Sequence, residues 1–495
     1  MSPSRARARA PSTAAFAPIL LANLVPLVGV LAYGWEPTTL VAIYALEVLL
    51  AFPLAAAKTP FAGRPPRVED LEDDGGDSSV LAVGNTDLAR KRGSVELVSW
   101  LPPVYPRNLP FVGAVLFASV WTTLFVVAAL AQVAVHEALA RPEVWLGVAA
   151  LIAGQGVETW RDYLRSGRYE TTSPYAVVEA PARQAFFLIF VLLVVAETSG
   201  AVVLAAFVAV KLLVDWSAFR ATRGDGGRLT GWLAGPEGAD ERSDPPRPPD
   251  DDFDPSSEPD ARVPTHTRTV VLTGVLHTLV KPAPFYVGIV LLAWVVILAV
   301  LGGNGDGGWF AVALLVGSAL LAFAVLATFL AIKVAEHVLE YAPLEYRRYG
   351  DRLVAYDAWV DEIQWIVPLH EIRDVTLVFD RFPDRVFDAR TLEARTGWGD
   401  DESTRALGPV GDADAFVEAL DLPVRTAELE LKPMDRRIAA LAIVPVVGVV
   451  VVAVAFAVGP WPLLAAVPYV FFGLPFAAPV LHGLWRRAYP DPESQ

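Results

Sequence analysis

Apolar runs of roughly membrane-spanning length recur along the chain and are separated by polar turns. A helix needs about 20 apolar residues to cross a bilayer. Runs near this length lie at about 14–33, 38–57, 109–135, 143–158, 183–197, 200–219, 284–301, 309–332, 437–458 and 461–483. The pattern predicts about ten transmembrane helices. The count between 143 and 200 stays open, because two runs there are short and could instead lie in the membrane interface.

Basic residues fall almost entirely in alternate loops of this arrangement. The opposite turns, such as GWEP, HEALARPE and GGNGDGG, contain Arg141 as their only base. Lys and Arg are enriched in the short cytoplasmic loops of membrane proteins. We therefore expect a multi-pass protein of the cytoplasmic membrane with both termini in the cytoplasm.

Composition agrees with a membrane protein whose polar parts are acidic. Hydrophobic residues make up 54% of the 495 residues, and the mean hydropathy is +0.43. The formal net charge is −15, and the apolar runs contribute almost none of it. The absence of cysteine excludes disulfides and thiolate metal sites. The preference for Arg over Lys, together with abundant Asp and Glu, resembles haloarchaeal proteins, although a high-GC bacterium would give a similar bias.

Polar segments divide the chain into parts. Segment 221–268 combines Pro with acidic residues and few aliphatics, as in DDDFDPSSEPD, which predicts a disordered linker. The expected parts are a six-helix module at 1–220, the linker at 221–268, a two-helix segment at 269–342, a cytoplasmic domain at 343–432 and a helical hairpin at 433–495.

Segment 343–432 has the pattern of a small α+β roll. Its β-branched and aromatic runs have strand length, as in RLVAY, IQWIV and TLVF, with further short runs at RVFDA and TLEART. Near its end, Asp412 can cap a short helix on which Phe416, Val417 and Leu420 share one face. Several strands closed by a C-terminal helix are therefore predicted.

Two resemblances follow from these residues. The element from Val367 to Val375, VPLHEIRDV, and the closing helix DADAFVEAL resemble the bacterial-type pleckstrin-homology domain found between membrane helices. The implied fold of the whole chain is an all-α polytopic membrane protein with about ten transmembrane helices and an inserted small α+β pleckstrin-homology-like roll.

Residues from about 15 to 220 resemble an uncharacterised family of polytopic membrane proteins, known as a domain of unknown function. The matching pieces are YALE, PRNLPF, WRDYLRSGRYE, PYAVVEAPAR and KLLVD. The resemblance implies no activity.

Three ionisable residues in apolar runs are the candidate site. Charges within membrane helices are costly and usually face the interior of a helix bundle. Glu47 lies within the second run, and Lys211 and Asp215 lie one helical turn apart in the sixth. We expect Glu47 to pair with Lys211, with Asp215 nearer the cytoplasm. The three are either a structural charge pair or a proton or ion relay.

The motifs of common enzyme classes do not occur in the sequence. The six histidines lack metal-ligand spacing, GGNGDGG lacks the strand and helix of a phosphate loop, and no GxSxG, Walker or kinase pattern occurs. We therefore expect no catalytic residue, no cofactor and no metal, and lean towards a protein that is not an enzyme.

The function predicted from the sequence is a non-enzymatic membrane scaffold or adaptor. The alternative is an ion-coupled transporter or pump using Glu47, Lys211 and Asp215. The expected partners are the lipid bilayer and a cytoplasmic protein or peptide, with no nucleic acid. Residues 345–421 contain nine Arg, no Lys and eighteen acidic residues, a formal net charge of −9. This charge disfavours binding of anionic lipid headgroups by that domain.

Overall fold

The structure is a computed structural model, and part of the chain is described in it. The described residues are 32–66, 87–130, 141–178, 257–280, 283–302, 309–379, 381–397, 403–423 and 434–458, with short pieces near 28, 68, 83, 182–189, 212–216 and 480–489. The chain divides into two compact units. Unit 1 comprises 1–84, 96–245 and 296–306, and unit 2 comprises 85–95, 246–295 and 307–495.

Three helices form the described core of unit 1. They are α1 (Pro37–Lys58), α2 (Leu109–Leu130) and α3 (Pro142–Glu158). α1 and α3 each begin with a proline, which suits the first turn because the amide N–H that proline lacks has no partner within the helix there. Ala42 and Ile43 of α1 pack against Val144 and Val148 of α3. α1 also contacts α2.

Short turns extend these helices. A 3-10 turn, Thr59–Phe61, follows α1, and another, Pro106–Asn108, precedes α2. A π-helical turn, Thr159–Leu164, continues α3 and leads to the 3-10 turn Arg168–Thr171. Two short strands, β1 (Val68–Glu69) and β2 (Val83–Gly84), pair in parallel.

Unit 2 combines long apolar helices with a β-rich domain. Its helices are α4 (Thr267–Val280), α5 (Ala283–Gly302, which runs on into unit 1), α6 (Trp309–Tyr341), α7 (Phe382–Val386), α8 (Ala413–Leu420) and α9 (Arg436–Val458). Its strands are β3 (Ala261–Pro264), β4 (Leu344–Tyr349), β5 (Arg352–Asp357), β6 (Glu362–Pro368), β7 (Ile372–Leu377), β8 (Arg390–Thr396) and β9 (Ser403–Val410).

The strands form two antiparallel sheets, which we call the two-sheet domain together with α8. One sheet has the order β3-β4-β5-β6, and the other has the order β7-β8-β9. The predicted closing helix is confirmed. Asp412 accepts a hydrogen bond from the amide of Ala415 at 2.9 Å, and Phe416 and Leu420 are fully buried in the core between the sheets.

The first strand of this domain lies inside the expected linker. β3 falls in the range 221–268, of which residues 221–256 are outside the described residues. β3 pairs with β4 in the register Val263 to Tyr346, although α4, α5 and α6 separate the two strands in sequence. The hydroxyl of Thr265 lies 2.9 Å from the carbonyl oxygen of Ala342, so the chain leaves and re-enters the domain at one place.

The prediction of about ten transmembrane helices in an all-α fold is wrong. Among the described residues, two helices are long and apolar enough to cross a membrane, Ala42–Phe61 and Val316–Tyr341. The chain also contains the two antiparallel sheets. Within α5, the described apolar stretch is 285–295, which is shorter than a span, and α3 has 17 residues. Hydropathy alone overcounted the spans, because an apolar run gives the same pattern whether or not it forms a continuous helix of spanning length.

Candidate functional site

Of the three predicted site residues, the described part of the chain contains Glu47. Glu47 lies in α1 and is half-buried. Lys211 and Asp215 lie outside the described residues. The pairing of Glu47 with Lys211, and its role as a structural pair or relay, therefore stays a prediction.

A different arrangement of charge lies in unit 2, where residues 87–95 contact the two-sheet domain and α6. We call these residues the docking segment. Its first part is a 3-10 turn, Asp87–Arg90, that contacts α6. Leu88 is fully buried and Ala89 is nearly so. Apolar anchors therefore hold the start of the segment.

A buried ion pair holds the middle of the docking segment. The Lys91 ammonium pairs with the carboxylate of Asp357 at the end of β5, and it also donates to the carbonyl oxygen of Leu339 in α6. Lys91 is 5% exposed and Asp357 is 0% exposed. Burial lowers the pKa of Lys91, while the charges of Asp357 and Glu340 oppose this shift. The ammonium thus has both a counter-ion and a carbonyl acceptor, as a buried charge requires.

Asp357 has a second role in the β5–β6 turn. Its Oδ1 accepts hydrogen bonds from the backbone amides of Trp359 at 2.8 Å and Val360 at 3.1 Å. The other oxygen, Oδ2, faces Lys91. The turn therefore helps to fix the direction of the carboxylate that pairs with Lys91.

The backbone of the docking segment is bound through one side-chain amide. Gln364 of β6 accepts from the Arg92 N–H at 2.9 Å and donates to the Arg92 carbonyl at 3.3 Å. Gly93 follows with a φ of +92° against Val360, and a Cβ built there would lie 2.7 Å from the Val360 side chain. The site therefore binds the side chain of Lys91 and the backbone of Arg92, and it leaves room for glycine alone at position 93.

Sequence reasoning missed this site, because no local pattern around Lys91, Asp357 or Gln364 marks a contact between them. One weak signal was available. The chain has six lysines against thirty-four arginines, so a lysine within an arginine-rich stretch is unusual. An ammonium is compact, whereas a planar guanidinium has five donors to satisfy in a closed pocket.

A second buried carboxylate lies in α7 of the same unit. Asp384 is fully buried beside Thr391, with Arg381 and Arg390 near enough to act on its charge. Burial raises the pKa of Asp384 to about 6, even though the neighbouring Thr391 and the charges of the two arginines favour the ionised form. Next to it, the Arg385 guanidinium stacks 4.8 Å from the ring centre of Tyr489.

Three residues of the sequence pieces PRNLPF and WRDYLRSGRYE donate hydrogen bonds to backbone carbonyl groups in unit 1. Asn108 is fully buried and its amide donates to the carbonyl oxygens of Thr59 at 3.0 Å and Ala62 at 2.8 Å. Arg107 donates to the carbonyl of Gly63. Tyr163 donates to the carbonyl of Lys58 at 3.3 Å. These side chains satisfy carbonyl groups at the end of α1, where intrahelical partners run out.

In the described ranges, no group of three or more His, Asp or Glu side chains is placed to hold a metal ion. No curated protein and no solved structure matches the chain. Residues 5–228 match a family of unknown function, DUF6498. The N-terminal part of the chain is thus similar to a domain of an uncharacterised family, which is consistent with the resemblance that its sequence pieces carry.

Proposed function

We propose that the protein is a non-enzymatic membrane adaptor whose two-sheet domain recognises short peptide segments. The observation that carries this proposal is the docking segment, which the domain holds as it would hold a peptide ligand. Apolar anchors, a buried lysine and a backbone clamp act together on nine residues of extended or turn-like chain. Peptide-binding domains work in the same way: hydrogen bonds to the peptide backbone give affinity, and pockets for its side chains give specificity.

The adaptor proposal includes a pleckstrin-homology-like fold for the two-sheet domain. Four strands in one sheet, three in the next and a closing helix at the C-terminal end support it. It also includes attachment to a membrane with the domain on the cytoplasmic side. The helices Ala42–Phe61 and Val316–Tyr341, one in each unit, support the attachment.

The contacts define the partner that this site fits. It is a segment with leucine three residues before a lysine and glycine two residues after it, as in Leu88, Lys91 and Gly93. Lysine is required because the pocket ends in the Asp357 carboxylate and a carbonyl oxygen. Glycine is required because the backbone is left-handed there and close to Val360. The internal segment then occupies the site until a partner replaces it.

The test is binding of a synthetic peptide to the full chain in detergent. The peptide NTDLARKRGSV, residues 85–95, carries a fluorescent label, and binding is followed by anisotropy. In the protein, Leu88→Ala with Lys91→Ala weakens the internal segment and frees the site. We expect this double variant to bind the peptide and the unchanged protein to bind it at least ten-fold more weakly.

Two controls make the result specific. A peptide with Arg92→Ala should bind as well as the original, because Gln364 contacts the backbone of Arg92. Adding Asp357→Asn to the double variant should abolish binding, because the ammonium then enters a pocket without its counter-ion. Absence of peptide binding, or binding that is unchanged by Asp357→Asn, would show that the domain does not recognise such segments.

A further inference from the structure

One surface of unit 1 lies at the end of the helix 42–61, which is long enough to cross a membrane. The backbone amide of Tyr105 donates to the carbonyl of Pro60 at 2.9 Å, and that of Gly63 donates to the carbonyl of Tyr169 at 2.7 Å. The segments 97–105 and 157–170 are therefore fixed beside the last turn of this helix. If the helix crosses a bilayer, these segments lie at the depth of the headgroups.

This surface exposes large apolar side chains. Leu97 is 67% exposed, Trp100 64% and Val157 63%, and Trp160 is exposed as well. The rings of Trp100 and Trp160 meet with their centres 6.0 Å apart, which joins the two segments into one face. Tryptophan is enriched where proteins meet the membrane interface, because its ring is apolar and its N–H can remain hydrated.

Exposed arginines border the aromatic pair. Arg161 lies beside Trp160 in the π-helical turn that follows α3, Arg165 comes four residues later, and Arg168 begins the next 3-10 turn. All three side chains are exposed. Arginine places its apolar stem along such a surface and its guanidinium in water, where it binds phosphate oxygens.

The charge of this surface contrasts with that of the whole chain. Segments 97–105 and 157–170 carry three basic and three acidic residues, and the adjoining residues 58–66 add Lys58 and Arg64, which gives a formal net charge of +2, whereas the chain carries −15. Among the acidic residues, Glu170 is engaged by a hydrogen bond from the Tyr169 hydroxyl. The surface is thus a basic and aromatic region in an acidic protein, so its complement is an anionic and partly apolar partner.

We propose that the surface formed by Trp100, Trp160, Arg161, Arg165 and Arg168 binds the headgroups of anionic phospholipids. The inference rests on the membrane attachment contained in the proposed function, but it does not depend on peptide recognition. It assigns lipid binding to unit 1, whereas the expectation against headgroup binding concerned the acidic residues 345–421. A bilayer is the partner, because the apolar rings need a hydrocarbon boundary that a soluble phosphate does not offer.

The test measures which lipids the full chain retains. Purified protein is equilibrated in micelles with equal amounts of phosphatidylglycerol and phosphatidylcholine and repurified, and bound lipids are quantified by mass spectrometry. We expect the protein to enrich phosphatidylglycerol several-fold. One arginine near an anionic surface changes affinity about five-fold, so Arg161→Gln, Arg165→Gln and Arg168→Gln together should remove most of the preference.

A matched variant controls for the change in net charge. Arg352→Gln, Arg373→Gln and Arg395→Gln remove the same charge from strands of the two-sheet domain and should leave the enrichment unchanged. A second arm replaces Trp100 and Trp160 by alanine, which should reduce retention of both lipids. Inorganic phosphate added at millimolar concentration should not displace the bound lipid.

The outcomes separate this inference from the proposed function. Enrichment that survives the loss of the three arginines, or that is absent from the unchanged protein, overturns the lipid site. Neither result changes the peptide assay, which reads a site in unit 2. Release of the protein from membranes by carbonate washing would instead remove the attachment on which the lipid site rests.

Discussion

The least expected residue in the protein is Lys91, a buried ammonium in a chain that otherwise prefers arginine. A buried charge is tolerated when its partner and remaining hydrogen bonds are in place, and it is strongly destabilising when one partner is removed. Asp357 and the Leu339 carbonyl supply these partners. The pair therefore favours one bound position of the docking segment over all others.

Removing one partner of this pair should be costly. Lys91→Met leaves the Asp357 carboxylate buried without its counter-ion, and we expect a loss of about 3–5 kcal/mol in the free energy of unfolding. The measurement is denaturant unfolding of the detergent-solubilised chain. Arg92→Ala should cost about 0.5 kcal/mol or less, because that residue is held through its backbone. Adding Asp357→Asn to Lys91→Met should recover part of the loss, and purely additive losses would contradict a direct pair.

Asp384 should make stability depend on pH. Its pKa is raised by burial from 3.8 to about 6, so the folded state binds a proton more tightly than the unfolded state. The stability this provides is fully present below about pH 4 and is lost as pH rises through 6. The difference of about two pKa units corresponds to about 3 kcal/mol.

The comparison with Asp384→Asn isolates this effect from other carboxylates. The variant is neutral at every pH, so we expect it to melt higher than the unchanged protein above pH 6 and to lose that advantage towards pH 4. Thermal melting in buffers from pH 4 to pH 7 gives the difference curve. A constant difference across this range would mean that the Asp384 carboxyl does not titrate there.

At the level of single residues, local chemistry was predictable and long-range chemistry was not. The cap formed by Asp412 was predicted correctly, since an N-cap and the apolar face of its helix lie within nine residues. The partner of Lys91 is Asp357, 266 residues away, and no local pattern connects them. The predicted pair of Glu47 and Lys211 has the same long-range character, and Lys211 lies outside the described residues.

Among the elements, the docking segment depends on one glycine as well as on its charges. Gly93 has a left-handed backbone, and a Cβ there would come within 2.7 Å of Val360. Gly93→Ala should therefore detach the segment and speed hydrogen exchange of amides 88–95 by at least ten-fold. Gly350→Ala is the matched control, because Gly350 is also left-handed, with a φ of +59°, but has open space around its Cβ position. Equal protection of the segment in both variants would show that contact with Val360 is unimportant.

Element types were predicted well where a run had one clear period. TLEART forms β8 and EIQWIVP forms β6, as their β-branched and apolar residues indicate. RVFDA was expected to be extended, but its start belongs to α7, which begins after Arg381 with a proline in its first turn. Proline fixes φ at a value that suits the first turn of a helix, so the FPD sequence before this run was the stronger signal.

At the scale of the whole molecule, the two-sheet domain is completed by a strand that precedes three helices in sequence. The expected domain, 343–432, began at β4 and left β3 in the linker. The strand β3 was not predicted because it has four residues, too few to change the average composition of the long acidic, proline-rich segment beside it. The pairing of β3 with β4, and the contact of α8 with β3, are long-range and decide the true boundary.

The boundary leads to a prediction about which fragment folds. Residues 343–432 alone leave β4 as an unpaired edge and remove the strand against which α8 packs, so we expect no cooperative thermal transition and a tendency to aggregate. A chain of 257–266 joined by a linker of about four Gly and Ser residues to 342–423 should fold, because Thr265 and Ala342 lie in hydrogen-bond contact, 2.9 Å apart between hydroxyl and carbonyl oxygens. Circular dichroism melts of the two fragments give the comparison. If both melt with the same cooperative transition, β3 is an accessory strand and the domain begins at β4; if only the joined chain does, the helices α4–α6 are an insertion between the first two strands of one domain.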